Sequence, residues 1–134
     1  VRRAYLLALK TAVGCGAIFA FITALFSSEI VSMFIDRSYP AFDIAASGIA
    51  YFAFGFIFFA FNMIGIGYYQ SIERGQRAAI ITLLRGAVFM SVGFFALPSI
   101  LGVRGIWLAV PFAELLTTLY IIGIYCKDRF IVRQ

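Results

Sequence analysis

Four long apolar runs divide this chain of 134 residues. They cover residues 4–26, 44–72, 78–101 and 106–126, and each has the about 20 residues that a helix needs to cross a ~30 Å hydrocarbon core. Backbone groups in lipid must pair within the protein, so only helices and closed barrels span a membrane. Barrel strands alternate over about 10 residues, and these runs are longer and do not alternate. We therefore predict an all-α membrane protein, with four transmembrane helices in one unit over residues 1–134.

The composition excludes most other classes of protein. The chain is 63% hydrophobic and 13% charged, whereas soluble domains carry about 25% charged residues. The net charge of +5 suggests nucleic acid only if a soluble basic face carries it, and no such face is visible. There is no His, and Cys15 and Cys126 are too far apart in the sequence to suggest a metal site. We expect no enzymatic activity, no cofactor, no metal and no nucleic-acid partner.

The basic residues are distributed unevenly between the two sides of the predicted bundle. If the N-terminus is cytoplasmic, two basic residues lie outside, Arg37 and Arg104, and nine lie inside: Arg2, Arg3, Lys10, Arg74, Arg77, Arg85, Lys127, Arg129 and Arg133. Such an excess of Lys and Arg marks cytoplasmic loops. The stretch "IERGQR" then forms a cytoplasmic elbow through Arg74, Gly75 and Arg77. We expect a multi-pass protein of the plasma membrane, in a bacterium the inner membrane, with both termini cytoplasmic.

Two further patterns concern the shape of the bundle. The first connection, "SSEIVSMFIDRSYPAFD", mixes charged and apolar residues, which predicts a short helix at the membrane interface with Ser27 or Ser28 as its cap. Small residues recur at every fourth position in the first and fourth runs, and such stripes let membrane helices pack closely. They are Ala8, Ala12, Gly16, Ala20 and Ala24, and then Gly105, Ala109, Ala113 and Thr117.

Few polar residues lie deep in the runs. Glu114 lies about 12 Å from the outer end of its run, and Asn62 lies about 16 Å from the inner end of its own, at 1.5 Å per residue. An ionised carboxylate at such depth costs about 2.5–3.5 kcal/mol on insertion scales. Glu114 either fixes helices together through a hydrogen bond or ion pair, or takes part in proton coupling or substrate binding. Asn62 is either a link between helices or a ligand.

Neighbouring residues extend this candidate cleft. Thr117 and Thr118 follow Glu114 on the same helical face and are placed to hydrogen-bond to it. Arg85 is expected to extend toward the interface or to pair with a carboxylate. Pro98 and Pro111 are expected to interrupt or bend their helices. The candidate cleft is therefore Glu114, Asn62, Arg85 and Thr118, with helix kinks at Pro111 and Pro98.

Three segments, in order, resemble the carboxy-terminal part of the multidrug and toxic compound extrusion (MATE) family. "YYQSIERGQRAAIITLLR" is similar to the segment that joins the tenth and eleventh helices of that family. "LGVRGIWLAVPFAELLT" is similar to the entry of the twelfth helix, and "LFSSEIVSMF" to the segment after the ninth helix. The resemblance extends over essentially the whole chain.

The resemblance implies the last third of a twelve-helix antiporter, with the missing amino-terminal helices as partners. The absence of an initial Met agrees with a fragment. Such proteins export organic cations or amphiphilic drugs in exchange for H⁺ or Na⁺ by alternating access. Several members carry an acidic residue in the tenth helix where this chain has Asn62. Coupling would then depend on the missing lobe or on Glu114.

Three alternatives remain open. The chain could be a complete four-helix multidrug transporter that acts as a dimer, or a non-transporting membrane scaffold subunit. It could also belong to the flippases of lipid-linked sugars within the wider superfamily. Those proteins place several arginines in the cleft, and here Arg85 is the one candidate.

Overall fold

The computed structural model describes residues 2–132, and of Val132 only the backbone. Nearly all of this range is helical, and residues 2–132 contain no β-strand. The helices are α1 (Arg2–Leu25), α2 (Ser27–Ser32), α3 (Pro40–Ala53), α4 (Gly55–Ser71), α5 (Gly75–Leu83), α6 (Met90–Leu101) and α7 (Val103–Val132). A π-helical segment, Leu84–Phe89, joins α5 to α6 without a break.

Four helical stretches are long and apolar enough to cross a membrane: Arg2–Leu25, Pro40–Ser71, Gly75–Leu101 and Val103–Ile131. The prediction of an all-α chain with four helices of spanning length is confirmed. Each stretch begins a few residues before the corresponding apolar run. Helical backbone hydrogen bonds do not require apolar side chains, so the helices continue into the polar residues that flank each run. Pro40 occupies a first-turn position, where its missing N–H has no helical partner to lose.

Helix α7 lies at the centre of the bundle, in contact with α3, α4, α5, α6 and the π segment. Its small-residue stripe, Gly105, Ala109, Ala113 and Thr117, is buried throughout. A Cβ added to Gly105 would overlap the carbonyl of Leu97, and one added to Gly93 of α6 would lie 2.8 Å from the carbonyl oxygen of Ala109. The backbones of α6 and α7 therefore touch, as the stripe predicted.

Helix α1 packs mainly against α4 and has no such central position. Of its stripe only Gly16 and Ala20 are buried, whereas Ala8 is exposed. A Cβ on Gly16 would lie 2.8 Å from the carbonyl oxygen of Phe56. The close contact is therefore limited to the middle of α1. Large apolar side chains on its other faces, among them Leu7 and Phe19, are exposed, as expected of side chains that face lipid or further helices.

The first connection contains the predicted short helix, but its cap differs. Ser27 and Ser28 lie inside α2, and Phe26 occupies the N-cap position without a side-chain cap. The amide of Phe26 donates to Ile22, and its carbonyl accepts from Ile30. Because the helical hydrogen-bond pattern continues through the junction with α1, a serine cap is not needed there.

The prolines do not interrupt their helices. Pro98 lies inside α6 and Pro111 inside α7. Proline removes one backbone donor, and here the neighbouring helical residues keep their pattern on both sides. The irregularities occur elsewhere, at Phe54 between α3 and α4 and in the π segment. Pro111 packs beside the irregularity at Phe54, because a Cβ added to the next residue, Gly55, would lie 3.4 Å from Pro111.

The predicted elbow is a tight turn between α4 and α5. Glu73 adopts a positive φ of 61°, and the amide of Arg74 donates to Tyr69. Arg74 and Arg77 both form ion pairs with Asp128 near the end of α7. We call this end of the bundle the basic end, and it also contains Arg2 and Arg129. Arg133 lies outside the described residues.

Candidate functional site

An ion pair joins the π segment to α7 in the interior of the bundle. The Nε atom of Arg85 lies 2.8 Å from Oε1 and 3.0 Å from Oε2 of Glu114. The Nη2 atom lies 2.8 Å from Oε1. Glu114 is only 2% exposed. Two donors of one guanidinium thus engage one carboxylate, which is the strongest geometry for this pair.

Asn62 connects α4 to the same carboxylate. Its Nδ2 atom donates to Oε2 of Glu114 at 2.7 Å and to the carbonyl oxygen of Glu114 at 2.8 Å. Its Oδ1 atom lies 2.9 Å from the hydroxyl of Thr118. Asn62, Arg85, Glu114 and Thr118 therefore form one polar cluster that joins three of the four spanning stretches.

The two threonines were expected to hydrogen-bond to the carboxylate of Glu114, and the structure shows other acceptors for both. The hydroxyl of Thr118 reaches Asn62 and, at 3.0 Å, the backbone carbonyl of Glu114. The hydroxyl of Thr117 donates to the carbonyl of Ala113. Neither touches a carboxylate oxygen of Glu114. The reason is that a helical threonine reaches the carbonyl one turn earlier more easily than a side chain that points sideways.

The cluster lies well inside the spanning stretches, away from their ends. Glu114 is eleven residues from the first residue of α7, which is about 16 Å along the helix axis in a core of ~30 Å. The side chain of Glu114 is almost fully buried, and that of Arg85 is 21% exposed. Breaking such a pair by removing one partner leaves an uncompensated buried charge, so the pairing is required wherever both groups are charged.

The guanidinium of Arg85 also has an apolar environment. Its Cζ atom lies 5.0 Å from the centre of the Phe59 ring, and Nη1 lies 4.0 Å from the sulfur of Met63. Both residues belong to α4, one turn apart, on the side of Asn62. Cations are attracted to aromatic faces, so Phe59 offers Arg85 a second contact. Neither Phe59 nor Met63 has a sequence signal that would mark it, because apolar residues dominate this helix.

Arg85 lies on the irregular part of its helix. A π-helical turn contains an additional residue relative to an α-helical one, and such turns often occur at functional sites. Leu84–Phe89 forms this turn, with Arg85 as its second residue. The irregularity sets the direction in which Arg85 leaves the helix, and nothing in the sequence predicted it.

The remaining candidate residues lie apart from the cluster or beside it. Pro111 is buried one turn before Glu114 on α7, and Pro98 lies on α6 near Gly105. Arg74, Gly75 and Arg77 lie at the basic end, around Asp128. Within residues 2–132 no group of three His, Cys, Asp or Glu side chains could hold a metal ion. The polar cluster is thus the candidate site, and it is a charge-neutral assembly of one acid, one base and two uncharged polar groups.

Comparison with known proteins adds no relative, because no family model, curated protein or solved structure matches this chain.

Proposed function

We propose that this chain is part of a cation-coupled antiporter that exports organic cations or amphiphilic compounds by alternating access. The observation that carries the proposal is the Arg85–Glu114 pair in the interior of four apolar helices. Ionisable residues at membrane depth are costly and mark ion and substrate pathways. The resemblance of three ordered segments to the MATE family supports the same function.

The chemistry of the cluster suits competition for one carboxylate. The carboxylate of Glu114 is neutralised by any one of four cations: Arg85, a proton, Na⁺ or a cationic substrate. One of them is enough at a time. When a proton or a cation takes the carboxylate, Arg85 loses its partner. Phe59 and Met63 then provide its remaining contacts. Asn62 also binds the backbone carbonyl of Glu114, so α4 and α7 stay linked in both states.

The π segment provides a means for Arg85 to move away from Glu114. If the π turn became α-helical, its extra residue would pass into the next turn and the side chains of the segment would rotate about the helix axis. A shift of one residue corresponds to a rotation of about 100°, since an α-helical turn has 3.6 residues. Such a rotation would turn Arg85 away from α7 without unfolding the helix. Release of Arg85 and loading of Glu114 would then be two parts of one conformational change.

We place the chain within a twelve-helix transporter whose missing helices cover the exposed apolar faces of α1 and α6. Basic residues from three helix ends gather at one end of the bundle, which supports a cytoplasmic location for that end under the positive-inside rule. Both termini would then be cytoplasmic, in a bacterial inner membrane. A flippase of lipid-linked sugars is less well supported, because the cluster contains a single arginine.

A second candidate function is a non-transporting scaffold subunit. The observation that favours it is the completeness of the pairing, since both carboxylate oxygens of Glu114 and both polar atoms of Asn62 are engaged. A cluster of this kind could simply hold three helices in register. Transport measurements separate the two functions.

The test is efflux of a fluorescent organic cation from proteoliposomes that contain the product of the complete reading frame, under an imposed H⁺ or Na⁺ gradient. We expect Glu114→Gln to abolish coupled efflux, and the exposed control Glu29→Gln to retain it. Full efflux by both variants would contradict a coupling role for Glu114, and no efflux by the unmodified protein would favour the scaffold. The 134-residue chain alone is expected to transport nothing, and efflux by it would instead favour the four-helix dimer.

A further inference from the structure

The basic end of the bundle contains a cavity of about 330 Å³. Three arginines from separate parts of the chain line it: Arg2 at the start of α1, Arg74 in the α4–α5 turn and Arg129 near the end of α7. The other polar lining residues are Tyr68, Tyr125 and Asp128. The volume lies within the range of about 300–1,000 Å³ that is usual for small-molecule sites.

The charges around this cavity are not balanced. Asp128 is the one acid in the lining, and it is already paired with Arg74, at 3.1 Å, and with Arg77. Within residues 2–132, Arg2 and Arg129 have no carboxylate partner. Three guanidinium groups therefore line the cavity against one carboxylate, which is itself paired with Arg74 and Arg77. The cavity has an excess of positive charge that a bound anion would neutralise.

The rings of Tyr68 and Tyr125 form a tyrosine wall of the cavity, and the ring of Tyr5 packs against these two rings. The rings of Tyr5 and Tyr68 have centroids 4.6 Å apart, and that of Tyr125 lies 5.9 Å from Tyr68. Tyrosines of this kind concentrate at the level of lipid headgroups. Helix α1, with 24 residues, is about 36 Å long at 1.5 Å per residue, which exceeds a ~30 Å core. The arginines at its end and beside it therefore reach the headgroup layer.

We propose that this cavity binds the phosphate group of an anionic phospholipid. Arginine is suited to phosphate oxygens because its guanidinium donates through a planar fork, and basic pockets between membrane helices bind anionic headgroups. The tyrosine wall would contact the glycerol and the first part of the acyl chains. A soluble phosphate ester shares the headgroup chemistry but has no acyl chains for that wall to contact.

The test is native mass spectrometry of the chain purified in detergent and supplied with phosphatidylglycerol or with phosphatidylcholine. We compare the wild type, Arg2→Gln/Arg129→Gln, and the matched control Arg37→Gln/Arg104→Gln, which removes the same charge at the other end of the bundle. Neither Arg2 nor Arg129 supports an ion pair of the described chain, so the first variant keeps the Asp128 contacts. We expect its affinity for phosphatidylglycerol to fall at least about tenfold and that of the control to stay within about twofold of the wild type.

A third variant tests the sign of the effect. Asp128→Asn removes the one acid of the lining, so phosphatidylglycerol should bind more tightly to it than to the wild type. Equal retention by the wild type and the Arg2→Gln/Arg129→Gln variant would overturn the proposal, as would equal retention of phosphatidylcholine and phosphatidylglycerol by the wild type. Displacement of the lipid by micromolar glycerol phosphate would identify a soluble anion as the ligand and would overturn the lipid assignment.

Discussion

Arg85 and Glu114, 29 positions apart in the chain, face each other with three N–O distances of 3.0 Å or less. One residue lies in a π-helical turn and the other on the central helix α7. The two charges neutralise each other where Glu114 is almost fully buried and Arg85 largely so, so each residue lowers the cost of burying the other.

Glu114→Gln is expected to destabilise the fold strongly. The substitution keeps the size of the side chain but leaves the buried guanidinium of Arg85 without a counter-charge. Because the side chain of Arg85 remains 21% exposed, we expect a loss in the free energy of unfolding near the lower end of the about 3–5 kcal/mol range for broken buried pairs. Unfolding in mixed detergent micelles measures it. The control Glu29→Gln should be unchanged, and equal stability of both variants would contradict the structure.

Removing both charges together is expected to be milder than removing one. In Arg85→Met/Glu114→Leu no uncompensated charge remains, and apolar replacements of buried pairs are often neutral or stabilising. The double variant should recover more than half of the stability that Glu114→Gln loses. It should still fail to transport, because it has no carboxylate to load. Recovery of stability together with coupled efflux would show that the pair is structural only.

Asn62→Leu is expected to cost about 1–3 kcal/mol in unfolding free energy. The substitution removes one donor to the Glu114 carboxylate and one acceptor for Thr118, and these buried groups keep only their contacts with Arg85 and with the backbone carbonyl of Glu114. Gln70→Leu, on the same helix but exposed, is the matched control. The same unfolding assay measures both, and comparable losses in the two variants would show that Asn62 makes no special contribution.

The contact between α6 and α7 is tested by two glycines of one helix. Gly105→Ala places a methyl group against the carbonyl of Leu97, and overpacking of this kind typically costs about 1–3 kcal/mol. Gly123→Ala meets nothing within 4 Å and should be neutral or gain about 0.5–1 kcal/mol from the reduced freedom of the unfolded chain. The midpoint temperature of thermal unfolding should therefore be lower for Gly105→Ala than for Gly123→Ala.

The four spanning stretches could be predicted because hydropathy acts on long windows of sequence, and membrane insertion depends on the same average. Depth along a helix could be estimated too, because the rise per residue is constant. That reasoning placed Asn62 and Glu114 at similar depth, and the structure brings them together. Their inclusion in a coupling site stays a prediction, because contact alone does not show transport.

The details that depend on contacts between helices could not be predicted. Arg85 was counted with the basic residues of the cytoplasmic side and was also expected to extend toward the interface or to pair with a carboxylate. That its partner is Glu114 depends on the contact between two helices. The π segment and the irregularity at Phe54 both lie beside α7, and no local pattern of residues predicted either. Pro98 and Pro111 were expected to interrupt or bend their helices. Both helices continue through the proline, because the loss of one donor is a local effect that the remaining hydrogen bonds outweigh, and the bends stay a prediction.

The side-chain hydrogen bonds of the bundle are not shared equally among the spanning stretches. Within residues 2–132, α1 alone of the four has no side-chain hydrogen bond or ion pair to another stretch. Van der Waals contact around Gly16 and the packing of the Tyr5 ring on Tyr68 attach it to α4. Dispersion forces act over short distances only, so a small displacement releases them all. If the protein is pulled from the bilayer by its amino end, α1 should detach first and at low force, while the other three stretches resist as a unit.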